Sequence, residues 1–163
     1  MIPLIIPIKK HKQNKKMLLD LIEKSETSSI TENDDKISRT DFHLSDEIER
    51  TYFSLFFDTV KDELFTAMKY LQYEGTLLKF WFQQYKKSDI HEWHFHPQTA
   101  YNVIYYIEVP NNMGTQVQIP PTGCKFQAMV DEGDMLIIPS TWKHRSPKNT
   151  TKKRKTVIAA NIG

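Results

Sequence analysis

Three histidines are the residues of this sequence whose type and spacing suit chemistry. His94 and His96 lie two apart in Glu92-Trp93-His94-Phe95-His96-Pro97, and in a strand residues at that spacing project to the same side. A pair of imidazoles aimed at one point, with Phe95 turned away, is the expected result. His144 closes the segment Gly133-Asp134-Met135-Leu136-Ile137-Ile138-Pro139-Ser140-Thr141-Trp142-Lys143-His144. There a tight turn launches an apolar strand, a proline stops it, and the histidine is expected just past the strand end, at the mouth of a barrel. Neutral imidazole suits Fe, Zn, Cu and Ni, and three protein ligands leave positions open for substrate or O2. A single histidine is more often structural; three together argue for a metal centre. His91 is read as exposed or as an outer partner of the ligands, and Glu92 as a carboxylate that orients an imidazole.

The elements that must position these residues divide near Gly75. Before it, residues 14–24 place Met17, Leu18, Leu21 and Ile22 at helical spacing. A polar loop is expected over 25–36. A second helix is expected from an N-cap at Ser45, with Asp46, Glu47 and Glu49 in its first turn. Its apolar face would run from Phe53 through Phe56, Phe57, Val60, Leu64 and Met68 to Leu71. After Gly75 the signals are short and β-like, with strands expected over 77–85, 93–96, 102–109, 115–119, 125–130, 135–138 and 156–162. Turns rich in Pro, Asn and Gly separate them. That cadence predicts a mainly β (α+β) fold, a jelly roll or double-stranded β-helix with the N-terminal helices packed on one sheet. With 163 residues the chain is expected to form one domain over 1–163, residues 1–75 supporting a β core in 76–163.

Composition narrows the setting. A net charge of +2 gives no bulk signal for nucleic acid or a membrane surface. The basic run 143–155 has no interleaved aromatic residues and reads as a solvated loop. Cys124 is the only cysteine, so no intrachain disulfide can form, which fits a cytoplasmic protein. The apolar start 1–8 is far shorter than a membrane span of about 20 residues and contains two prolines, so it reads as an edge strand.

Gly133, Pro139 and His144, with Ser88, His94 and His96, partly match the two motifs of cupins, although the usual glutamate beyond the histidine pair is missing. The longer set Glu92 to Pro97, Val103-Ile104-Tyr105-Tyr106, Gly133-Asp134, Ile138-Pro139-Ser140, His144 and Ala159-Ala160-Asn161-Ile162 resembles a small bacterial and phage group of 2-oxoglutarate, Fe(II)-dependent oxygenases. The resemblance covers the last half of the chain. It implies a double-stranded β-helix, Fe(II) on His94, His96 and His144, 2-oxoglutarate and O2 as cosubstrates, and oxidation of an unknown substrate. Such oxygenases usually place a cation eleven positions after the last metal-binding histidine, here Lys155, with Arg154 taking the role if the register differs by one. Tyr85, Tyr105, Tyr106 and Asn161 are candidate hydrogen-bonding walls of the cosubstrate pocket. Trp81, Trp93 and Trp142 are candidates for excluding water.

One departure matters. The family generally has a carboxylate two residues after the first histidine, where this chain has His96, so the full charge of a bound metal would be left uncancelled. Two other readings stay open: a cupin-type metalloenzyme that uses no 2-oxoglutarate, and a jelly-roll binding module without catalysis. A homodimer is also left open.

Overall fold

The computed structural model describes residues 3–163, so Met1 and Ile2 of the expected edge strand lie outside the described residues. In chain order the elements are β1 (Leu4–Pro7), α1 (His11–Lys24), β2 (Ser28–Ile30), β3 (Ile37–Thr40), α2 (Phe53–Tyr70), β4 (Leu77–Tyr85), β5 (His91–His94), β6 (Tyr101–Glu108), β7 (Gln116–Ile119), β8 (Cys124–Gln127), β9 (Asp134–Pro139), β10 (Lys143–Ser146) and β11 (Lys155–Ile162). They form two antiparallel sheets. A major sheet has the order β1-β9-β6-β11-β4-β3-β2, and a minor sheet the order β5-β10-β7-β8. β1 occupies an edge, paired with β9, with Pro7 as its last residue. Among the described residues no helix is long and apolar enough to cross a membrane.

Alternation along the strands of the major sheet builds two cores. On β6, β9 and β11 the residues Val103, Tyr105, Met135, Ile137, Ile158 and Ala160 face the helices, where Leu18, Ile22, Phe56, Val60 and Leu64 cover them. Their neighbours Ile104, Tyr106, Leu136, Ile138 and Val157 face the minor sheet and pack with Ile37, Tyr85, Val117 and Trp142. Because both faces are covered, these strands read as nearly continuous apolar runs. Each fully buried side chain of this kind contributes about 1.5–3 kcal/mol relative to exposure.

Four expectations about the elements need correction. α1 begins at His11, three residues early, with His11 Nδ1 hydrogen-bonded to the Tyr105 hydroxyl at 2.8 Å. The segment 25–36 is not all loop, since it contains β2, which pairs with β3 just beyond it. Ser45 caps only a turn, its Oγ accepting from the Glu47 amide at 3.3 Å, and α2 starts at Phe53. The reason is Arg50, whose guanidinium donates to the carbonyls of Asp41, Leu44, Ser45 and Ile48 and pairs with the Asp41 carboxylate at 2.9 Å, gathering the chain into a compact loop. Finally, 143–146 of the basic run is strand β10, the centre of the minor sheet.

Candidate metal centre and cosubstrate pocket

The site lies between the sheets, and the strands explain which side chains reach it. β5 and β10 pair antiparallel with His94 directly opposite His144. His144 is therefore inside a strand, flanked by outward-facing Lys143 and Arg145, rather than past a strand end. His96 lies two residues beyond β5, where its N–H donates to the Ser140 carbonyl at 2.9 Å and ties the segment back across the turn before β10.

One coordinating nitrogen from each of His94, His96 and His144 fits within a span of 4.8 Å. The ring centroids of His94 and His144 are 4.3 Å apart, and His96 stands 5.3 and 5.4 Å from them. His94 Nδ1 donates to the Glu92 carbonyl at 2.7 Å and His144 Nδ1 to the Trp142 carbonyl at 3.0 Å, which leaves both Nε2 lone pairs free to meet a cation. Burial keeps these rings neutral. It lowers the pKa of His94, and with repulsion from neighbouring histidines lowers His96 to about 4 and His144 to about 3.

His91 belongs to the cluster. Its ring stacks on His94 with centroids 3.8 Å apart, and burial followed by repulsion from the other three rings lowers its pKa to about 2. Of the two places the sequence left open for it, this is the outer partner of a ligand, and a register shift puts it there: between the pairs His144/His94 and Ser146/His91, β5 spends one more residue than β10. That extra residue brings two histidines three apart to the same side. It also turns the Glu92 side chain outward to Arg145, at 3.5 Å, so the Glu92 carbonyl and not its carboxylate orients His94.

From the histidines a narrow cleft runs inward to Lys155. Lys155 is 1% exposed, and its Nζ donates to Ser146 Oγ at 3.0 Å. The same Nζ stands 5.4 and 5.6 Å from the ring centres of Tyr85 and Tyr106. Among the described residues no carboxylate pairs with it, and burial lowers its pKa to about 7. Arg154 points the other way, its Nε donating to Glu108 at 2.6 Å and its Nη1 to Glu23 at 3.2 Å. Adjacent residues at a strand start face opposite sides, so the register excludes Arg154 from the cleft.

The tyrosines serve differently from the expectation, and Tyr105 faces the helices, its hydroxyl on His11 Nδ1. Tyr85 lines the cleft, but its hydroxyl donates to Gln83 Oε1 at 2.8 Å. Tyr106 does not line it. Its hydroxyl shares a hydrogen bond with Thr115 Oγ1 at 2.6 Å, and its ring lies against the lysine. Asn161 lines the cleft opposite Asn102 on β6, a residue the sequence left unassigned. Asn161 Oδ1, Asn102 Nδ2 and Trp81 Nε1 are buried without hydrogen-bond partners, and all three belong to residues of the cleft wall. Trp93 and Trp142 do not line it; Trp93 lies against Lys125 and Arg145 outside, and Trp142 is in the core between the sheets.

No family model and no curated protein matches the sequence. Solved structures do. A 2OG-Fe(II) oxygenase family oxidoreductase from Burkholderia pseudomallei superposes with a TM-score of 0.79 at 12% identity, over 99% of this chain and 85% of its own. A Pseudomonas putida prolyl-4-hydroxylase gives 0.70 at 11%, over 98% and 91%. The epimerase SnoN, in complex with Fe3+, alpha ketoglutarate and nogalamycin RO, gives 0.74 at 12%, over 98% and 78%. This chain has their double-stranded β-helix fold. The four-stranded β5-β10-β7-β8 sheet packed against the larger one is that architecture, with the helices on the outer face of the larger sheet, as the sequence led one to expect.

Proposed function

We propose that the protein is an Fe(II)- and 2-oxoglutarate-dependent oxygenase. The observation that carries this reading is Lys155: a buried cation without an anion, at the blind end of a cleft whose open end is three neutral imidazoles. Burying such a lysine is costly unless something pairs with it. A diacid chelating a metal at the histidines would bring one carboxylate to the metal and the other to the lysine. The cupin-type reading has no use for that lysine, and the binding-module reading has no use for either group.

The residues present fit the cofactors. His94, His96 and His144 would hold iron through neutral nitrogens, two of them already fixed by backbone carbonyls. Lys155 would receive the distal carboxylate, with Ser146 holding the ammonium in place. Asn102 Nδ2 and Asn161 Oδ1 offer an unpartnered donor and acceptor that a polar ligand in the cleft would satisfy. Iron bound with 2-oxoglutarate and O2 supplies oxidative decarboxylation of the cosubstrate coupled to oxidation of a C–H bond. The chain's own part is to position the diacid, keep water from the cleft with Trp81 and Tyr85, and hold the imidazoles in ligand form. His96 in place of the carboxylate leaves the metal's charge uncompensated, which favours zinc or nickel more than an acidic site would.

The test is an anaerobic titration of the Fe(II)-loaded protein with 2-oxoglutarate, followed by air. The reading expects a weak visible charge-transfer band of an iron chelate and succinate release, both lost in Lys155→Met with metal binding retained. Succinate-free protein with no band at saturating 2-oxoglutarate would overturn it, and retention of the band without the lysine would move the diacid elsewhere.

A further inference from the structure

Two chambers meet at the histidines, and they differ in charge. The inner one is the cleft ending on Lys155. The outer one encloses about 210 Å3 and shares Trp81, Gln83 and His91 with it, as well as His94 and His96. It continues outward beneath the β2–β3 hairpin, whose Glu32 and Asp35 line it, to Phe42 and His43, and no lysine or arginine is among its walls.

Asp35 is built into that wall. Its Oδ1 accepts the Glu92 amide N–H at 2.7 Å, which turns Oδ2 toward His91 Nε2 at 3.8 Å; the side chain is 22% exposed. Glu32 is exposed; its carbonyl accepts the Asp35 amide at 2.8 Å, and its carboxylate has no hydrogen bond or ion pair among the described residues. Trp81 forms the partition between the chambers, is 4% exposed, and carries an indole N–H without a partner. Phe42 packs against Trp81 at 5.0 Å and holds Lys79 Nζ 4.0 Å from its ring centre, so an ammonium already settles on an aromatic of the outer wall. The two cations of the hairpin are turned elsewhere, Lys36 to Asp89 at 3.8 Å and Arg39 to Glu23 at 2.7 Å.

We propose that the outer chamber binds the primary substrate by a cationic group, an ammonium or guanidinium seated at Glu32 and Asp35, with a hydrogen-bond acceptor of the same molecule taking the Trp81 indole N–H. A basic amino acid, free or within a peptide, has both groups. The opposite charges of the two chambers sort the ligands: the diacid is drawn to Lys155 and repelled by the carboxylates, and the cation the reverse. The assignment of this ligand as substrate rests on the oxygenase reading; its binding does not.

The experiment is calorimetric titration of the purified chain, with and without Zn(II), by L-lysine, agmatine and N-acetyl-lysine amide, against N-acetyl-norleucine amide and N-acetyl-glutamate amide. The cationic probes are expected to bind about tenfold more tightly than the neutral one, and the anionic probe not at all. Glu32→Gln, which breaks no contact, lowers cation affinity severalfold with the melting temperature unchanged. Trp81→Phe weakens N-acetyl-lysine amide but not agmatine, which has no carbonyl. L-Lysine binding more tightly than its N-acetyl amide selects the free amino acid, and the reverse selects the peptide form. Equal binding of lysine and norleucine probes, absence of cation binding, or indifference to Glu32→Gln overturns the proposal. Cation binding without 2-oxoglutarate binding would sink the oxygenase reading and leave the chamber's selectivity standing; 2-oxoglutarate binding without cation binding would do the opposite.

Discussion

β4, β6 and β11 present alternate residues to two regions that could hardly differ more in polarity. Toward the helices, Phe82, Tyr105 and Ile158 meet Phe56, Val60 and Leu18, and the polar groups admitted there are paired: Tyr52 donates to Asp41 at 2.7 Å, and Tyr105 meets His11. Toward the minor sheet, the same strands offer Trp81, Gln83, Asn102, Lys155 and Asn161, three of which leave a buried polar atom unpartnered. Four neutral histidines and an unpaired lysine complete that space. A sheet with two faces thus separates the work: one face supplies stability, and the other carries groups that cost stability until a ligand arrives.

Mutations can break that contrast if it is mistaken. Phe56→Ala, on the helix side and fully buried, should destabilise the protein by about 3–5 kcal/mol in urea unfolding while leaving metal affinity of the remaining folded protein unchanged. Lys155→Met should do the reverse, raising ligand-free stability by about 1–3 kcal/mol, since a buried unpaired lysine is removed, and abolishing 2-oxoglutarate binding by calorimetry. A loss of stability in that variant would mean the lysine is already compensated in the free protein.

The pH dependence sharpens the same point. Lys155 is held near 7 in the fold and titrates near its ordinary 10.5 when unfolded. Between those values the unfolded chain binds the extra proton, so this lysine makes stability rise with pH, by up to about 1.4 kcal/mol per unit, and flattens below 7 where both states are protonated. The rise should vanish in Lys155→Met, and binding of 2-oxoglutarate at pH 8 should take up a proton from buffer. The smallest effect is expected from Arg154→Ala. Its partners Glu108 and Glu23 are on the helix-side surface, so it should cost about 1 kcal/mol or less and leave 2-oxoglutarate binding intact.

The candidate site was more legible in the sequence than the elements that support it. Strands 77–85, 102–109 and 135–138 were visible because covered faces demand unbroken apolar runs, and β4 was found to the residue. β2, β3 and β10 were not, because Ser28-Ser29-Ile30, Ile37-Ser38-Arg39-Thr40 and Lys143-His144-Arg145-Ser146 carry little apolar patterning and owe their pairing to neighbours distant in sequence. Lys155 and Arg154 could not be separated before register was known, and a strand boundary decides them. Whether His91 was exposed or an outer partner of the ligands was decided by a bulge, which no local pattern announces. Asn102, Gln83 and Ser146 left a weak signal: a polar residue on the inner parity of a strand that is otherwise apolar, or two residues after a candidate ligand.

The most direct measurement is an anaerobic crystal structure with Mn(II) and 2-oxoglutarate. The metal should sit on nitrogens of His94, His96 and His144, with the diacid's far carboxylate within hydrogen-bonding distance of Lys155 Nζ. A metal bound elsewhere, or a diacid whose far end reaches another cation while Lys155 keeps only Ser146, would contradict it.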